Sequence, residues 1–214
     1  MSEPLINIAI RSVWISSIAA FSAFITAVFI CFYLTSIRGK AVDIALGVFE
    51  AMVGIPTTLI GLLVYMLIYP GGPLGPLRLL YTPIAIIIGE FLVVLPMAVT
   101  YMFKHFHDVR ENVRELVLSL GVTEERARWL VVRELLPIAI STYMVSFSRA
   151  IGELGVALIV GGGIEGRTNV FTTAIALQTS IGNYEAAIYT GLVLLALTLC
   201  ITVSTKLLGE RFWK

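Results

Sequence analysis

Charge is scarce in this chain. Only 14% of its 214 residues are Asp, Glu, Lys or Arg and 58% are hydrophobic, whereas a soluble domain carries roughly 25% charged residues. Such a composition cannot cover a water-facing surface, so the bilayer is the natural solvent. Histidine is nearly missing too: His105 and His107 are the only two. Both stand in a polar insert; no His-carboxylate cluster falls within an apolar run, and no H-E-x-x-H or G-x-S-x-G motif exists, which argues against an intramembrane enzyme, a catalytic set or a metal site. The two cysteines, Cys31 and Cys200, stand in apolar runs without C-x-x-C spacing and read as small hydrophobes. A G-x-x-x-x-G-K-[ST] phosphate loop is also lacking, so the chain has no such route to ATP and needs no cofactor of its own. Net charge is +1, which gives nucleic acid nothing to bind.

What is present is a set of long apolar runs. Backbone groups in lipid must be satisfied internally, so these runs predict helices and an all-α, polytopic membrane protein. About five spans are expected, near residues 12–36, 41–69, 81–103, 137–160 and 186–208. Gly54-Ile55-Pro56 predicts a kink in the second, and Pro96 one in the third. Residues 168–181 are apolar but too short to span. They fit a lipid-facing or re-entrant helix outside the bundle, within an external loop at about 161–185. The run Gly161-Gly162-Gly163 reads as a flexible turn. Residues 1–10 lack the basic start of a cleaved signal and stay with the mature chain; a half-buried segment there is possible. The whole of 1–214 reads as one membrane domain.

Basic residues set the orientation. Arg38 and Lys40 follow span one; Lys104, Arg110, Arg114, Arg126, Arg128 and Arg133 separate spans three and four; Lys206, Arg211 and Lys214 follow span five. The other side has Arg11, Arg78 and Arg167. Cytoplasmic loops collect Lys and Arg, so the loop at about 105–134 and the C-terminus are expected in the cytoplasm and the N-terminus outside, in a multi-pass plasma-membrane protein.

That loop is a polar insert with helical order. Asp108 and Glu111 resemble a capping box. Val109, Val113, Leu116, Val117 and Leu120 share one face, and Gly121 would end the helix. Thr123 would cap a second helix toward span four. The pattern fits equally an amphipathic linker lying on the membrane or a helix seated in a groove of a soluble partner.

Four charges fall inside predicted spans: Glu50, Glu90, Arg149 and Glu153. Each is costly at membrane depth and is expected to pair, face a cavity or act. Arg149 and Glu153 stand i and i+4 and form a candidate intramembrane pair, either orienting the helix or serving a gate or anion path. Thr57 and Thr58 at the proline kink, with Ser146 and Ser148 in span four, are candidate donors along a translocation path. Alternatively, these hydroxyls bond back to their own helices.

The insert resembles the cytoplasmic E-A-A-x-x-x-G loop of ABC importer permeases. Glu115 and Gly121 keep its spacing, with Leu116 and Val117 in place of the alanines. Arg38-Gly39-Lys40-Ala41, Gly54-Ile55-Pro56-Thr57, the Gly-Pro-rich turn at 70–76 and Leu95-Pro96 follow the order of elements in molybdate and tungstate permeases. Arg149-Ala150-Ile151-Gly152-Glu153-Leu154-Gly155, the glycine run and Arg133-Glu134 look most like the tungstate-type (Tup) branch, although members carry Asn where Gly163 stands. The resemblance implies a type I ABC importer permease fold, with a coupling helix whose Val113, Glu115, Leu116, Val117, Leu120 and Gly121 dock a separate ATPase dimer. It also implies a second copy of this chain completing the passage, an extracytoplasmic oxyanion-binding protein, and ATP and Mg on the ATPase alone. Tungstate is the implied cargo, with molybdate and sulfate as alternatives. A gradient-driven secondary transporter is the competing class, but such proteins commonly show inverted repeats, and no half-to-half similarity is evident.

Overall fold

The computed structural model describes the backbone of residues 3–36, 39–120 and 124–211, and their side chains except at 36, 107–135 and 205–211. It is helical, without a strand among the described residues. In order come α1 (Leu5–Ser36), α2 (Lys40–Val53), α3 (Thr57–Ile68), a short 3-10 turn (Gly75–Leu77), α4 (Pro83–Leu120), α5 (Glu124–Ile151), a π-helical turn (Ala157–Gly161), α6 (Phe171–Ser180) and α7 (Tyr184–Arg211).

The centre is α1, α4 and α5. On α1, Ser12, Ser16, Ala19, Ala20, Ala23, Ala27 and Cys31 recur at intervals of three and four and are all buried. Small side chains on one helical stripe let backbones approach closely, which is how helices associate where no hydrophobic force distinguishes lipid from protein. Val94, Ala98, Val99 and Met102 of α4 and Phe147, Ala150 and Ile151 of α5 fill the same cores. By contrast, the span within α7 is less buried than those within α1 and α4 and shows most of its apolar surface to the outside.

Among the described residues, three helices are long and apolar enough to cross a membrane, within Leu5–Thr35, Pro83–Phe106 and Tyr184–Ser204, and α2 with α3 makes a fourth if the bent pair counts as one span. The sequence reading of about five is reached only by adding the shorter apolar stretch Leu136–Ile151.

Several expected boundaries move. The first span begins at Leu5, so residues 5–11, Arg11 included, are part of α1 and not a separate segment. The expected kink at Pro56 is a break of 96°: Gly54 closes α2, and Pro56 lacks the N–H that would continue the ladder and forces residue 55 away from helical geometry. Pro96 leaves α4 unbroken. No new helix starts at Asp108, because α4 runs on to Leu120; Lys104-His105-Phe106-His107 contains neither glycine nor proline to stop it. The second insert helix and span four are likewise one helix, α5, through Pro137. Span four does not reach Val160. Its helix ends at Ile151, where Gly152 and Gly155 open a break before the π-helical turn.

α6 is too short to span, in keeping with its sequence. However, Phe171, Thr172, Thr173 and Ala174 are buried, so its first half belongs to the packed structure instead of lying outside it.

Candidate functional site

The break at 152–155 is wedged between α3 and α4. Gly155 lies so near the start of α3 that a Cβ there would stand 2.6 Å from Thr57 Oγ1 and 3.0 Å from the Thr58 amide nitrogen. A Cβ on Gly89 of α4 would overlap Val156 Cγ1. Only glycine at these two positions lets the three segments close on one another.

Charge gathers at this junction. Glu153, 3% exposed, has Oε2 2.6 Å from Arg149 Nη1, whose side chain is 38% exposed. Its Oε1 accepts a long contact of 3.4 Å from the Val156 N–H, and its carbonyl accepts from Thr172 Oγ1 of α6 at 2.9 Å. Glu90 of α4 is 2% exposed. Ser16 of α1 hydrogen-bonds to it, Arg149 and Glu153 lie within electrostatic reach, and its Oε2 has no hydrogen-bond partner. Polar positions on α1 therefore take part in the packing, in keeping with the expectation that Glu90 lies near polar groups of the first or second span. Their signal was visible: Ser12 and Ser16 continue the small-residue stripe of α1 by one turn each.

A second set of bonds ties the segment after the break to the start of α1. Ser12 Oγ accepts the Phe171 N–H at 2.8 Å, and Arg11 Nη1 donates to the Asn169 carbonyl at 2.8 Å. Arg11 Nη2 also pairs with Glu3 Oε1 at 2.6 Å, and this bond holds the Glu3 carboxyl below its ordinary value of 4.5. Thr168 Oγ1 donates to the Gly161 carbonyl at 2.6 Å and accepts the Ile164 N–H at 3.0 Å.

The candidate path hydroxyls are not gathered in one place. Thr57 and Thr58 open α3 beside Gly155. Ser146 is fully buried in the bundle, and its Oγ has no partner, so the back-bonded alternative does not describe it. Ser148 stands two residues on, about 200° around the helix, where it borders a cavity of about 400 Å³ shared with Gly152 and, on α7, Gly191, Leu194 and Thr198. Glu50 stands near the end of α2, on a helix that buries none of its residues. Val113, Glu115, Leu116, Val117 and Leu120 lie on α4 beyond the described side chains, and Gly121 lies outside the described residues. Among the described residues no group of three or more His, Cys, Asp or Glu could hold a metal ion.

Helices broken at membrane depth, with buried polar groups at the breaks, are the architecture of transport proteins. The comparisons with known proteins decide which kind. Residues 19–214 match the model of the family described as binding-protein-dependent transport system inner membrane component. The chain belongs to this family. Such an inner membrane component is a transport subunit and not itself an enzyme. The chain is 33% identical to the tungstate uptake system permease protein TupB of Peptoclostridium acidaminophilum, over 87% of this chain and 90% of that one. It is 31% identical to a probable anion ABC transporter permease protein of Haloferax volcanii, over 93% and 90%. A more distant relative is the sulfate transport system permease protein CysT of Salmonella typhimurium, 27% identical over 74% and 60%. The resemblance of the chain to ABC importer permeases of the tungstate type is thus the correct one, and the all-α permease fold goes with it.

Proposed function

We propose that this inner membrane component is the permease of a tungstate importer. The observation that carries the reading is the match to a tungstate uptake permease along nearly the full length of both chains. Two copies of the chain form the passage, and an ATPase dimer holds ATP and Mg in the cytoplasm. An extracytoplasmic oxyanion-binding protein delivers the anion to the opposite face. The N-terminus is outside and the C-terminus in the cytoplasm, as the Lys and Arg distribution argues.

In this reading the end of α4 is the coupling helix, and Val113, Glu115, Leu116, Val117, Leu120 and Gly121 meet the ATPase. Because α4 is one helix from Pro83 to Leu120, a push on its end is carried along a stiff rod toward Glu90 and the junction. Thr57 and Thr58 line the passage at the α2–α3 break, and Ser148 serves it from α5.

The test is ATP hydrolysis by the reconstituted complex in the presence of its binding protein and each oxyanion. Tungstate is expected to stimulate most; stronger stimulation by molybdate or sulfate would move the substrate assignment to that anion. Leu116→Asp combined with Gly121→Pro is expected to abolish co-purification with the ATPase, and an intact complex would remove the docking assignment. Uptake by the purified chain alone, without any ATPase, would replace the reading with a gradient-driven transporter.

A further inference from the structure

Arg149 has a combination of features that neither lipid nor a simple structural pair explains. It lies within the apolar helix Leu136–Ile151, where a charge in a membrane protein is costly. Its partner Glu153 is buried and fixed from three sides, by Arg149, by the Val156 N–H and through the Thr172 bond to its carbonyl. The guanidinium spends Nη1 on this bond. The rest of the side chain reaches the outer surface of the chain, with 38% of it exposed. A guanidinium presents five donors in a planar fork and never loses its charge. Facing hydrocarbon with those donors unsatisfied is costly, and such residues line water-filled cavities or meet a counter-ion.

We infer that the exposed side of Arg149 lines the aqueous passage and is a transient binding point for a tetrahedral oxyanion, with Glu153 behind it fixing the guanidinium. This inference rests on the importer reading and adds to it a residue that touches the cargo. The chemistry suits the role. An arginine fork offers two parallel charge-assisted hydrogen bonds to an oxyanion, while the neighbouring carboxylate neutralises part of its charge. The hold stays weak enough to release the anion, as conduction requires. The buried position of Glu153 keeps its negative charge off the surface that the anion meets.

The test labels a neighbouring position and keeps the arginine. Val145, 36% exposed, lies one turn before Arg149 on α5 and shares its face. Val145→Cys is made in a Cys31→Ala, Cys200→Ser background, and the full chain is labelled in membrane vesicles. Two membrane-impermeant methanethiosulfonates are used, one bearing a sulfonate and one a quaternary ammonium. The sulfonate reagent is expected to react about tenfold faster with Arg149 present than in R149Q. Tungstate or molybdate, but not chloride, is expected to slow it. R149K keeps the charge preference and weakens the oxyanion protection, since an ammonium lacks the fork. Thermal unfolding of each variant in detergent confirms that the fold is retained.

No reaction with either reagent would mean that Arg149 faces lipid or a second copy of the chain, and would overturn the inference. Reaction without charge preference, or without oxyanion protection, would overturn it equally. Protection by sulfate alone would leave the inference standing and remove the tungstate assignment. Protection in vesicles from a chain whose reconstituted complex shows no anion-stimulated ATP hydrolysis would separate the binding point from the importer reading.

Discussion

Two helix breaks shape this molecule, and they are held in opposite ways. At residues 54–56 the break is written into the covalent chain: proline removes a donor, the axis turns by 96°, and α2 beyond it buries no residue. At residues 152–155 no proline is present. The break is held from outside, by Arg149 and Val156 on the Glu153 carboxylate, by Thr172 on its carbonyl, and by close contact of Gly155 and Val156 with α3 and α4. One break leaves α2 resting on the core through half-buried residues such as Phe49, and the other is clamped into it. They meet where Gly155 touches Thr57 and Thr58.

Overfilling the clamp is expected to have the largest effect. Gly89→Val drives two methyl groups into Val156, which is buried and stiff at χ1, and should cost about 3 kcal/mol. Gly47→Ala in α2 meets nothing within 4 Å and should stay within about 1 kcal/mol of the parent. Thermal unfolding in detergent checks both, followed by a thiol-reactive dye at buried Cys31 in a Cys200→Ser background. Equal effects of the two substitutions would break the distinction between the breaks.

The electrostatic half of the clamp comes next. Glu153→Ala removes the partner of Arg149 and leaves the Val156 N–H unmatched. Breaking a fully buried pair costs 3–5 kcal/mol, but Arg149 reaches the surface, so about 2 kcal/mol is expected. Pro56→Ala at the other break should cost less than about 1 kcal/mol, because it acts mainly through chain entropy. The same melting experiment ranks them, and a larger loss at Pro56 would show that the first break is also held by packing.

The difference between the breaks also explains what the sequence disclosed. Pro56 is a local signal, and local signals survive in a sequence; only the size of the turn was missed, since a kink and a right angle share one residue pattern. The second break depends on partners far along the chain. Gly155 reads as an ordinary span residue until α3 comes to rest against it, as does Val156 until Gly89 of α4 does. The same holds for the site. Arg149 and Glu153 stand close in sequence, and their spacing alone suggested a pair. Glu90 with Ser16, Thr172 with Glu153 and Ser12 with Phe171 join different helices, and no periodicity announces them. The insert misled for the opposite reason. Asp108 and Glu111 have the local chemistry of a helix start, but an uninterrupted helix already passes through them.

Hydrogen bonds after the break give smaller effects. Ser12→Ala leaves the buried Phe171 N–H without its acceptor and should cost about 1.5 kcal/mol, in the lower part of the range for an unsatisfied buried donor. Thr172→Val removes a donor from the Glu153 carbonyl and should cost about 1 kcal/mol. In a reconstituted importer, Thr172→Val should also loosen the second break toward the behaviour of the first. The expected sign is a higher basal ATP hydrolysis and a smaller stimulation by the loaded binding protein. Unchanged coupling would confine this bond to stability.

The smallest effect is a pH dependence at the outermost anchor of the second break. Arg11 holds both Glu3 and the Asn169 carbonyl, so the Glu3 carboxylate helps fix the segment that follows the break. Its carboxyl is held below the ordinary 4.5, first by the hydrogen bond to Arg11. A depressed folded value means that the contribution is complete above pH 4.5 and is lost as the pH falls through the lower folded value. Melting in detergent should therefore be flat from neutral pH down to about 4.5 for this group and decline below it, and Glu3→Gln should remove that part of the decline. The α2–α3 break has no such anchor among the groups that define it, so Pro56→Ala should leave the acid limb of the curve unchanged. A Glu3→Gln curve that kept the parent's acid limb would show that Arg11 holds the segment through Asn169 alone.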